Sequence, residues 1–289
     1  MKINLITTCA GSKIVEPPKE LQFKNLPSND TFNKWVNLIN SSKTKYPAIS
    51  LYKGGYWNVI KEIDNIVDNT YILSGGCGLI KSTDKIPSYS IGFKPDNADY
   101  VGHKGFKRNE WWNLINPNNK LSTLIKNNPN DKFILYVSFS YMKAIKDDIL
   151  EVINSPNLYI FSPDTKGKDF KPYILNTSLK MRHILGGNTM NITALTIKYF
   201  LENVNSIGWN KDNINNHFTN LVKDLPDVFG DRFSYKRKKT TDDNIIKMIY
   251  EIDPNLNSSP KKIQEYIWSK GFSIGPNRLF KILNQENDK

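Results

Sequence analysis

The sequence predicts an α/β protein with two parts. A three-layer domain built on a mostly parallel sheet comes first, and a small all-α, helix-turn-helix-like module follows it. Short apolar runs typical of buried strands and segments of helical periodicity alternate along the first part of the chain, which predicts the sheet. The composition then becomes basic and afterwards helical, which predicts a second module. We expect an α/β domain over residues 1–232, a basic linker over 233–240 and a helical module over 241–289.

Each element of the sheet domain is predicted from its own pattern. Continuous apolar, β-branched and aromatic runs predict buried parallel strands at residues 3–8, 71–74, 133–138 and 158–161. Between and after these runs, apolar residues recur three and four positions apart, as on the buried face of a helix. The predicted helices cover residues 31–39, 56–67, 108–115, 141–153 and 189–204.

Three short helices are predicted in the tail. Thr241 is suited to cap the first helix, and Asp242 and Asp243 favour its positively polarised start. Pro260 opens the second helix, and Gly275 precedes the third. This order matches the helix-turn-helix plan, in which the last helix enters a DNA groove. A bundle of this size that binds another protein is the alternative.

The charge of the chain predicts a polyanionic partner. Lys and Arg number 40 against 28 Asp and Glu, for a net charge of +12. Basic side chains that neutralise phosphates release condensed counterions, so we expect a nucleic acid as the partner. A tail helix that enters a DNA groove would make this partner double-stranded DNA. Basic and amide residues of the linker and tail are expected to contact this DNA, together with one arginine that precedes the glycine pair at residues 186–187. They are Arg182, Lys236, Arg237, Lys238, Lys239, Asn277, Arg278 and Lys281.

Other classes of protein are disfavoured by the composition. The hydrophobic content of 39% can fill a core, which argues against a disordered chain. There is no apolar run long enough for a membrane span and no signal-peptide pattern, so we expect no membrane partner and a cytoplasmic protein. Cys9 and Cys77 are too few for a disulfide framework, and the three histidines lie far apart. We expect neither a metal nor another cofactor.

Segments of small residues follow two of the predicted strands. Residues 9–13 read Cys-Ala-Gly-Ser-Lys, and residues 74–79 read Ser-Gly-Gly-Cys-Gly-Leu. Open α/β sheets bind ligands at the carboxyl ends of their strands, so we expect both segments to border one pocket. Lys13 could hold a phosphate there, or act as an amine nucleophile if burial lowers its pKa. The alternative is an ordinary surface lysine.

Further residues of this region suggest chemistry on a nucleoside. Asp84 could stabilise a cationic sugar or activate water during cleavage of an N-glycosidic bond, although a plain turn residue is the alternative. Tyr52 or Tyr89 could stack on an extruded base, unless both belong to the core. Hydroxyls after the third strand could bind phosphate or cap the next helix. The expected base- and substrate-binding residues are Cys9, Gly11, Ser12, Tyr52, Ser74, Gly75, Gly76, Cys77, Gly78, Tyr89, Ser138 and Ser140.

The motifs of the first ninety residues resemble a known group of proteins. Residues 9–13, 51–57, 72–79 and 86–89, together with Asp84, resemble a poorly characterised bacterial and phage family. That family is related to the YaaA-like DNA-binding stress proteins and to the lysine-handling domain of archaeosine synthase. The resemblance implies a variant of the uracil-DNA glycosylase-like fold. It also implies kinship with phage-defence glycosylases that remove modified bases from phage DNA.

The resemblance spans residues 3–90 and, more weakly, 130–205, and it leaves the tail outside. Cys77 stands where the family pattern has an aromatic residue or a histidine. The water-activating motif of ordinary uracil-DNA glycosylases is absent, so uracil is not the expected substrate. Carried over position by position, the resemblance implies a site lined by Cys9, Ser12, Lys13, Tyr52, Ser74, Gly76, Gly78, Asp84 and Tyr89.

The sequence thus predicts a hydrolase that flips a modified base out of DNA and cleaves its N-glycosidic bond, in defence against phage. Lys13 and Asp84 are the expected catalytic residues. One alternative is a DNA-binding protein without catalysis. The other is a transferase that modifies a base through Lys13.

Overall fold

The chain forms two compact units, Met1–Leu225 and Pro226–Lys289. The computed structural model describes residues 1–118, 120–162, 170–175, 177–226, 228, 238–254, 256 and 258–287. The division at Leu225 lies a few residues before the domain end predicted from sequence, and the predicted linker is described only over residues 238–240. No helix in these parts of the chain is both long and apolar enough to cross a membrane.

A five-stranded sheet forms the centre of the first unit. Its strands are β1 (Ile3–Thr8), β3 (Asn69–Ser74), β4 (Gly78–Lys81), β6 (Lys132–Tyr136) and β7 (Leu158–Phe161). The order is β4-β3-β1-β6-β7, with β4 antiparallel and the other four strands parallel. A separate ribbon pairs β2 (Tyr46–Pro47) with β5 (Lys85–Ile86). The predicted α/β class and mostly parallel sheet are confirmed.

All four predicted strands form, but β4 was not predicted. It arises because the glycine-rich segment after β3 reverses the chain and pairs Ser74 with Gly78. Gly78 has φ +75°, a conformation that glycine adopts without strain. A β-carbon there would lie 2.8 Å from the carbonyl oxygen of Ile115. Gly78 is therefore the first residue of β4, directly after the hairpin turn, and does not line a ligand-binding loop as expected.

Helices cover both faces of the sheet. Those of the first unit are α1 (Thr31–Ser41), α2 (Ala48–Leu51), α3 (Gly55–Asp64), α4 (Arg108–Ile115), α5 (Leu121–Lys126), α6 (Phe139–Ala144), α7 (Lys146–Leu150), α8 (Arg182–Leu185), α9 (Ile192–Glu202), α10 (Val204–Ile207) and α11 (Lys211–Val222). Parallel crossovers are right-handed, so the β1-to-β3 and β6-to-β7 connections, which run in opposite directions, place their helices on opposite faces. Accordingly α3 packs against α9, while α4 packs against α6 and α5 against α7.

The predicted helix over residues 141–153 is two helices in the structure. Ile145 separates α6 from α7 because its backbone, at φ −98° and ψ 17°, leaves the helical region. The prediction over residues 108–115 coincides with α4. The central strands are held by an apolar core in which residues such as Leu5, Ile72 and Ile134 are fully buried.

The second unit contains the three predicted tail helices: α12 (Asp242–Ile252), α13 (Pro260–Ser269) and α14 (Pro276–Asn287). Thr241 Oγ1 accepts a hydrogen bond from the backbone N–H of Asn244 at 3.4 Å, which confirms the predicted cap. The helices share a small core of buried side chains, including Ile249, Ile267 and Leu279.

Candidate functional site

A cleft of about 580 Å³ opens beyond the carboxyl ends of β1 and β6. It lies between the segment that follows β1, the start of α3, residues 91–97 and the start of α6. The chain connects β1 to β3 on one side and β6 to β7 on the other, so this is a point where the direction of the connections reverses. Such switch points are where open α/β sheets bind ligands.

Aromatic rings form the apolar part of the cleft. Tyr56 and Tyr136 are stacked, with ring centroids 5.0 Å apart and an interplanar angle of 30°. Phe93 and Tyr141 meet edge to face at 4.8 Å. All four side chains line the cleft. Phe93, Tyr136 and Tyr141 are buried and Tyr56 is half-buried, so Tyr56 offers the surface on which a flat heterocycle can stack.

Sequence reasoning did not single out Tyr56, Phe93, Tyr136 or Tyr141. The available signal was the position of Tyr136 at the carboxyl end of a predicted strand, where ligands bind. Tyr56 is held in place by its hydroxyl, which donates to the backbone oxygen of Thr8 at 2.8 Å and is also hydrogen-bonded to Thr7. Burial raises the pKa of Tyr136 to about 12, so this phenol stays protonated at neutral pH.

Polar and cationic groups complete the cleft. They comprise hydroxyls, side-chain amides and ammonium groups, and no carboxylate occurs among the described residues of the lining. The electrostatic character of the cleft is therefore positive, which suits an anionic ligand. These polar side chains are Ser12, Ser138, Ser140, Asn97, Asn188, Lys53 and Lys94.

Several predicted residues do reach this cleft. Cys9, Gly11 and Ser12 line it from the end of β1, and Ser138 and Ser140 line it from the start of α6. Ser138 makes no side-chain cap of α6; its Oγ lies 3.2 Å from that of Ser140 instead. The alternative that Ser138 caps the helix through its side chain is therefore wrong.

Behind the cleft wall lies a buried cluster of hydroxyl groups. The hydroxyl of Tyr89 is 2.7 Å from that of Tyr52 and 2.6 Å from Ser74 Oγ. Ser74 Oγ also accepts the backbone N–H of Cys77 at 3.0 Å. Tyr52 and Tyr89 are fully buried, which raises their pKa well above the ordinary range. Contrary to expectation, neither ring is exposed for stacking on a base; the core interpretation is the one the structure supports.

Cys9 connects this cluster to the cleft. Its Sγ is 2.9 Å from the hydroxyl of Tyr141 and 3.9 Å from that of Tyr89. Cys77 lies outside the cleft lining, and desolvation raises the pKa of its thiol to about 12. Cys77 is therefore a neutral thiol at neutral pH and not a nucleophile.

Lys13 lies inside the hydroxyl cluster. Its Nζ is 4.4 Å from the ring centroid of Tyr89 and 5.4 Å from that of Tyr52, and the residue is only 7% exposed. The ammonium group makes no hydrogen bond or ion pair with a described residue. Desolvation lowers the pKa of Lys13, an effect that Cys9 and other nearby groups partly oppose. Lys13 is thus not the surface lysine that formed the alternative.

Asp84 belongs neither to the cleft lining nor to the hydroxyl cluster that surrounds Lys13. It is exposed in the turn between β4 and β5, where its carboxylate accepts the backbone N–H of Lys81 at 2.8 Å. Its side chain borders a separate depression next to Tyr71. The expected catalytic role of Asp84 therefore has no structural basis, because short-range turn hydrogen bonds hold this carboxylate away from the site.

Gly75 and Gly76 form the hairpin turn after β3 and do not line the cleft either. Their carbonyl oxygens accept the indole N–H groups of Trp111 and Trp35, each at 2.8 Å. A β-carbon on Gly76 would lie 2.8 Å from ring carbons of Trp35 and Tyr89. The glycines are thus required by the packing of aromatic rings, and not, as expected, by close approach of a ligand.

In the second unit, Arg278 is engaged within the protein. Its Nε donates to Asp242 Oδ1 at 2.8 Å, and Nη2 donates to the backbone oxygen of Thr240 at 2.8 Å. Arg278 therefore fastens the basic segment before α12 to the first turn of α14. The ion pair between Arg278 and Asp242 is partly exposed, so the contact of this guanidinium with DNA stays a prediction.

The outward side of α14 presents Asn277, Phe280 and Lys281, all exposed. Phe280 is 52% exposed, and Phe280 and Lys281 follow Asn277 by three and four positions, so both lie next to Asn277 on the helix surface. Lys238 and Lys239, on the segment that Arg278 fastens, are also exposed. Two further predicted DNA contacts, Lys236 and Arg237, lie outside the described residues.

Arg182 belongs to the first unit, where its Nε donates to the backbone oxygen of Gly187 at 3.3 Å. This bond shapes the loop that carries Asn188 and Met190 to the cleft. Within the described residues, no group of three or more His, Cys, Asp and Glu side chains is placed to hold a metal ion. Compared with protein-family models, with curated proteins and with solved structures, the chain gives no match.

Proposed function

We propose that the cleft binds a base extruded from double-stranded DNA and that the protein cleaves the N-glycosidic bond of a modified base. The observation that carries this proposal is the composition of the cleft: four aromatic side chains, two amides and two lysines around about 580 Å³. The volume falls in the range of small-molecule sites. Flat rings, amide groups and ammonium groups match a base, its polar edge and the flanking phosphates.

The side chains of the cleft have separate roles in this proposal. The Tyr56–Tyr136 stack supplies the face against which the base lies, since every base has a π-surface. The amide nitrogens of Asn97 and Asn188 can donate to the acceptors of a base edge. Their Oδ1 atoms already accept the backbone N–H groups of Asp99 and Met190, each at 2.9 Å, which fixes the orientation of both amides. The exposed ammonium group of Lys53, beside the start of α3, holds a flanking phosphate.

The helical module serves in this proposal to hold the DNA. Extrusion of a base costs a few kcal/mol, and contacts to phosphates must offset this cost. Lys238, Lys239 and Lys281 supply such contacts around the start of α14. Asn277 and Phe280 are the residues of the same helix that can reach base edges.

The resemblance described above adds to this proposal. The parallel strands of the first unit, with a cleft at their carboxyl ends, are compatible with the uracil-DNA glycosylase-like type that the resemblance implies. The same resemblance suggests modified phage DNA as the substrate and defence against phage as the biological role.

The test is incubation of the full chain with duplex DNA that carries hypermodified cytosine or thymine, followed by scoring of abasic sites by alkaline cleavage. We expect base loss from the modified DNA and none from an unmodified duplex of the same sequence. Loss of no base from any modified DNA would refute the enzymatic function.

One alternative is favoured by a specific observation. Because no carboxylate occurs among the described residues of the cleft lining, there is no acidic group to activate water. A DNA-binding protein that holds a modified base without cleaving it would need none. This function predicts tight, modification-dependent binding together with complete absence of abasic sites.

A substitution in α14 tests the proposed DNA surface. Lys281→Ala is expected to weaken DNA binding and to reduce the slope of log affinity against log salt by about 0.9, since one phosphate contact is lost. Lys247→Ala, an exposed lysine on α12, is the matched control and should change neither quantity. Fluorescence anisotropy over a salt series measures both. Equal effects of the two substitutions would show that α14 has no special part in binding.

A further inference from the structure

Lys13 is the one residue of the predicted catalytic pair that the structure places beside the cleft, and it points to a covalent reaction. We propose that the amine of Lys13 is the nucleophile that attacks C1′ of the deoxyribose and displaces the base. This inference rests on the proposed function, and it replaces water activated by a carboxylate with an amine of the protein itself.

The first observation is burial without a partner. Placing a lysine where it is 7% exposed, with no hydrogen bond or ion pair to a described residue, is energetically unfavourable. Two tyrosine rings face the ammonium group, and cation–π contacts recover only part of the lost hydration. Such an arrangement favours the neutral amine, which is the nucleophilic form. Groups of this kind cluster at functional sites.

Lys13 differs from three other lysines in its burial, its pairing and its position. Lys53 and Lys94 line the cleft but are exposed to solvent, where the ammonium form is well hydrated. Lys211 also has a pKa lowered by burial, but its Nζ donates to the backbone oxygen of Ser155 at 2.9 Å. Lys211 lies outside the cleft lining. Lys13 alone among these four combines burial, an unpaired ammonium group and a position next to the wall of the cleft.

The second observation is the short path from Lys13 to the cleft. Lys13 directly follows Ser12, which lines the cleft, and its backbone is paired with that of Tyr52. Its Nζ lies over the ring of Tyr89, and the hydroxyl of that ring is 3.9 Å from the wall residue Cys9. The flexible four-carbon stem of lysine can carry the amine past Cys9 to a sugar bound in the cleft.

The phenol of Tyr141 can donate a proton to the leaving base and then accept one from the attacking amine. It lines the cleft, and burial raises its pKa well above the ordinary range, so it is protonated before the reaction. As the N–C1′ bond to Lys13 forms, the bond from C1′ to the base breaks, and the base leaves with the electron pair. The base takes the proton of Tyr141, and the resulting phenolate takes a proton from the new ammonium group.

The sugar ring then opens. The C1′–O4′ bond breaks, O4′ takes a proton from solvent, and a protonated imine links Lys13 to C1′. Addition of water to this protonated imine gives the abasic aldehyde and the free amine, and one proton returns to solvent. The sum is base plus abasic site from nucleotide plus water, with no oxidant or reductant.

Borohydride trapping tests this mechanism, because reduction converts the imine to a stable amine that is visible on a denaturing gel. Two probes are used with the full chain: the modified-base duplex that loses its base, and a duplex with one preformed abasic site. We expect a covalent protein–DNA adduct with both probes, and peptide mapping should place it on Lys13.

Three variants sharpen the test. Lys13→Met removes the amine while keeping an apolar chain of similar length, and thermal unfolding confirms that it folds. Lys13→Arg keeps the positive charge without a nucleophilic amine, so it separates charge from covalent reaction. Both variants should lose the adduct on residue 13, whereas Lys211→Met should retain it at the wild-type level.

The outcomes distinguish this inference from the proposed function. Base loss without an adduct on Lys13 would overturn the inference and leave excision standing, as would an adduct that maps to Lys53 or Lys94. An adduct on Lys13 with the abasic duplex but no base loss from any modified DNA would refute excision and the inference with it, because no base is displaced. No adduct with either probe would overturn the inference.

Discussion

Replacing Gly76 with alanine is expected to destabilise the first unit by about 1–3 kcal/mol, which is the usual cost of overpacking a core. The added β-carbon would lie 2.8 Å from Trp35 Cζ2 and 2.8 Å from Tyr89 Cε2. Neither ring can give way freely, since both side chains are fully buried. The indole of Trp35 is also fixed by its hydrogen bond to the carbonyl oxygen of Gly76.

Gly11 offers a matched control in the other segment of small residues. No atom lies within 4 Å of a β-carbon built on Gly11, so Gly11→Ala should leave the free energy of unfolding within about 0.5 kcal/mol of the wild type. Denaturant titration measures the free energy of unfolding of both variants from the midpoint and slope of each transition. If Gly76→Ala is as stable as Gly11→Ala, the packing around the hairpin turn is looser than the structure shows.

The same substitution should also alter the cleft. Pushing Tyr89 away disturbs the ring over which the amine of Lys13 lies and the hydroxyl that contacts Ser74. We therefore expect that Gly76→Ala protein that still folds loses activity more steeply than stability. Activity assayed well below the unfolding temperature separates the two effects.

Removal of the aromatic stack is the second large effect. Tyr136→Leu is expected to weaken binding of modified-base DNA by about 5- to 150-fold, which corresponds to the 1–3 kcal/mol typical of stacking on one base. Tyr56→Phe should have a smaller effect, because the ring remains and only the hydrogen bonds of its hydroxyl to Thr7 and Thr8 are lost.

Tyr159 provides the control for Tyr136. It lies on the neighbouring strand β7, is buried to a similar degree and packs against Trp209, outside the cleft lining. Tyr159→Leu should therefore lower stability without changing the affinity of the folded protein for modified-base DNA. Fluorescence anisotropy, at a temperature where both variants are folded, compares the affinities of Tyr136→Leu and Tyr159→Leu for modified-base DNA. Equal losses of affinity would mean that the Tyr56–Tyr136 stack is not the binding surface.

Local patterns were sufficient for most of the secondary structure. The run at residues 158–161 and the helical pattern at 108–115 match β7 and α4, because burial on a strand or on a helix face imposes its own periodicity. The tail helices follow their caps in the same way, as Thr241 illustrates. β4 was missed because it begins with Gly78 and ends with Lys81, which leaves only two apolar residues between them, whereas all four residues of β7 are apolar or aromatic.

The candidate site could be predicted only in part. The segment 9–13 was expected at the carboxyl edge of the sheet, and Cys9, Gly11 and Ser12 do line the cleft there. Asp84 shows the limit: it lies ten residues after Ser74 in sequence, but the unpredicted hairpin carries it away from that edge. A single unrecognised reversal of the chain was enough to misplace a carboxylate.

The amino-acid sequence by itself determined the α/β class, the strands of the parallel sheet and the edge at which the cleft opens. These depend on hydrophobic patterns within short segments and on the shared direction of parallel strands. Only the tertiary structure decided that Tyr56 stacks on Tyr136 and that Lys13 is buried under Tyr89. These partners come from separate elements, and a side chain's burial, and hence its chemistry, depends on distant neighbours that no local pattern encodes.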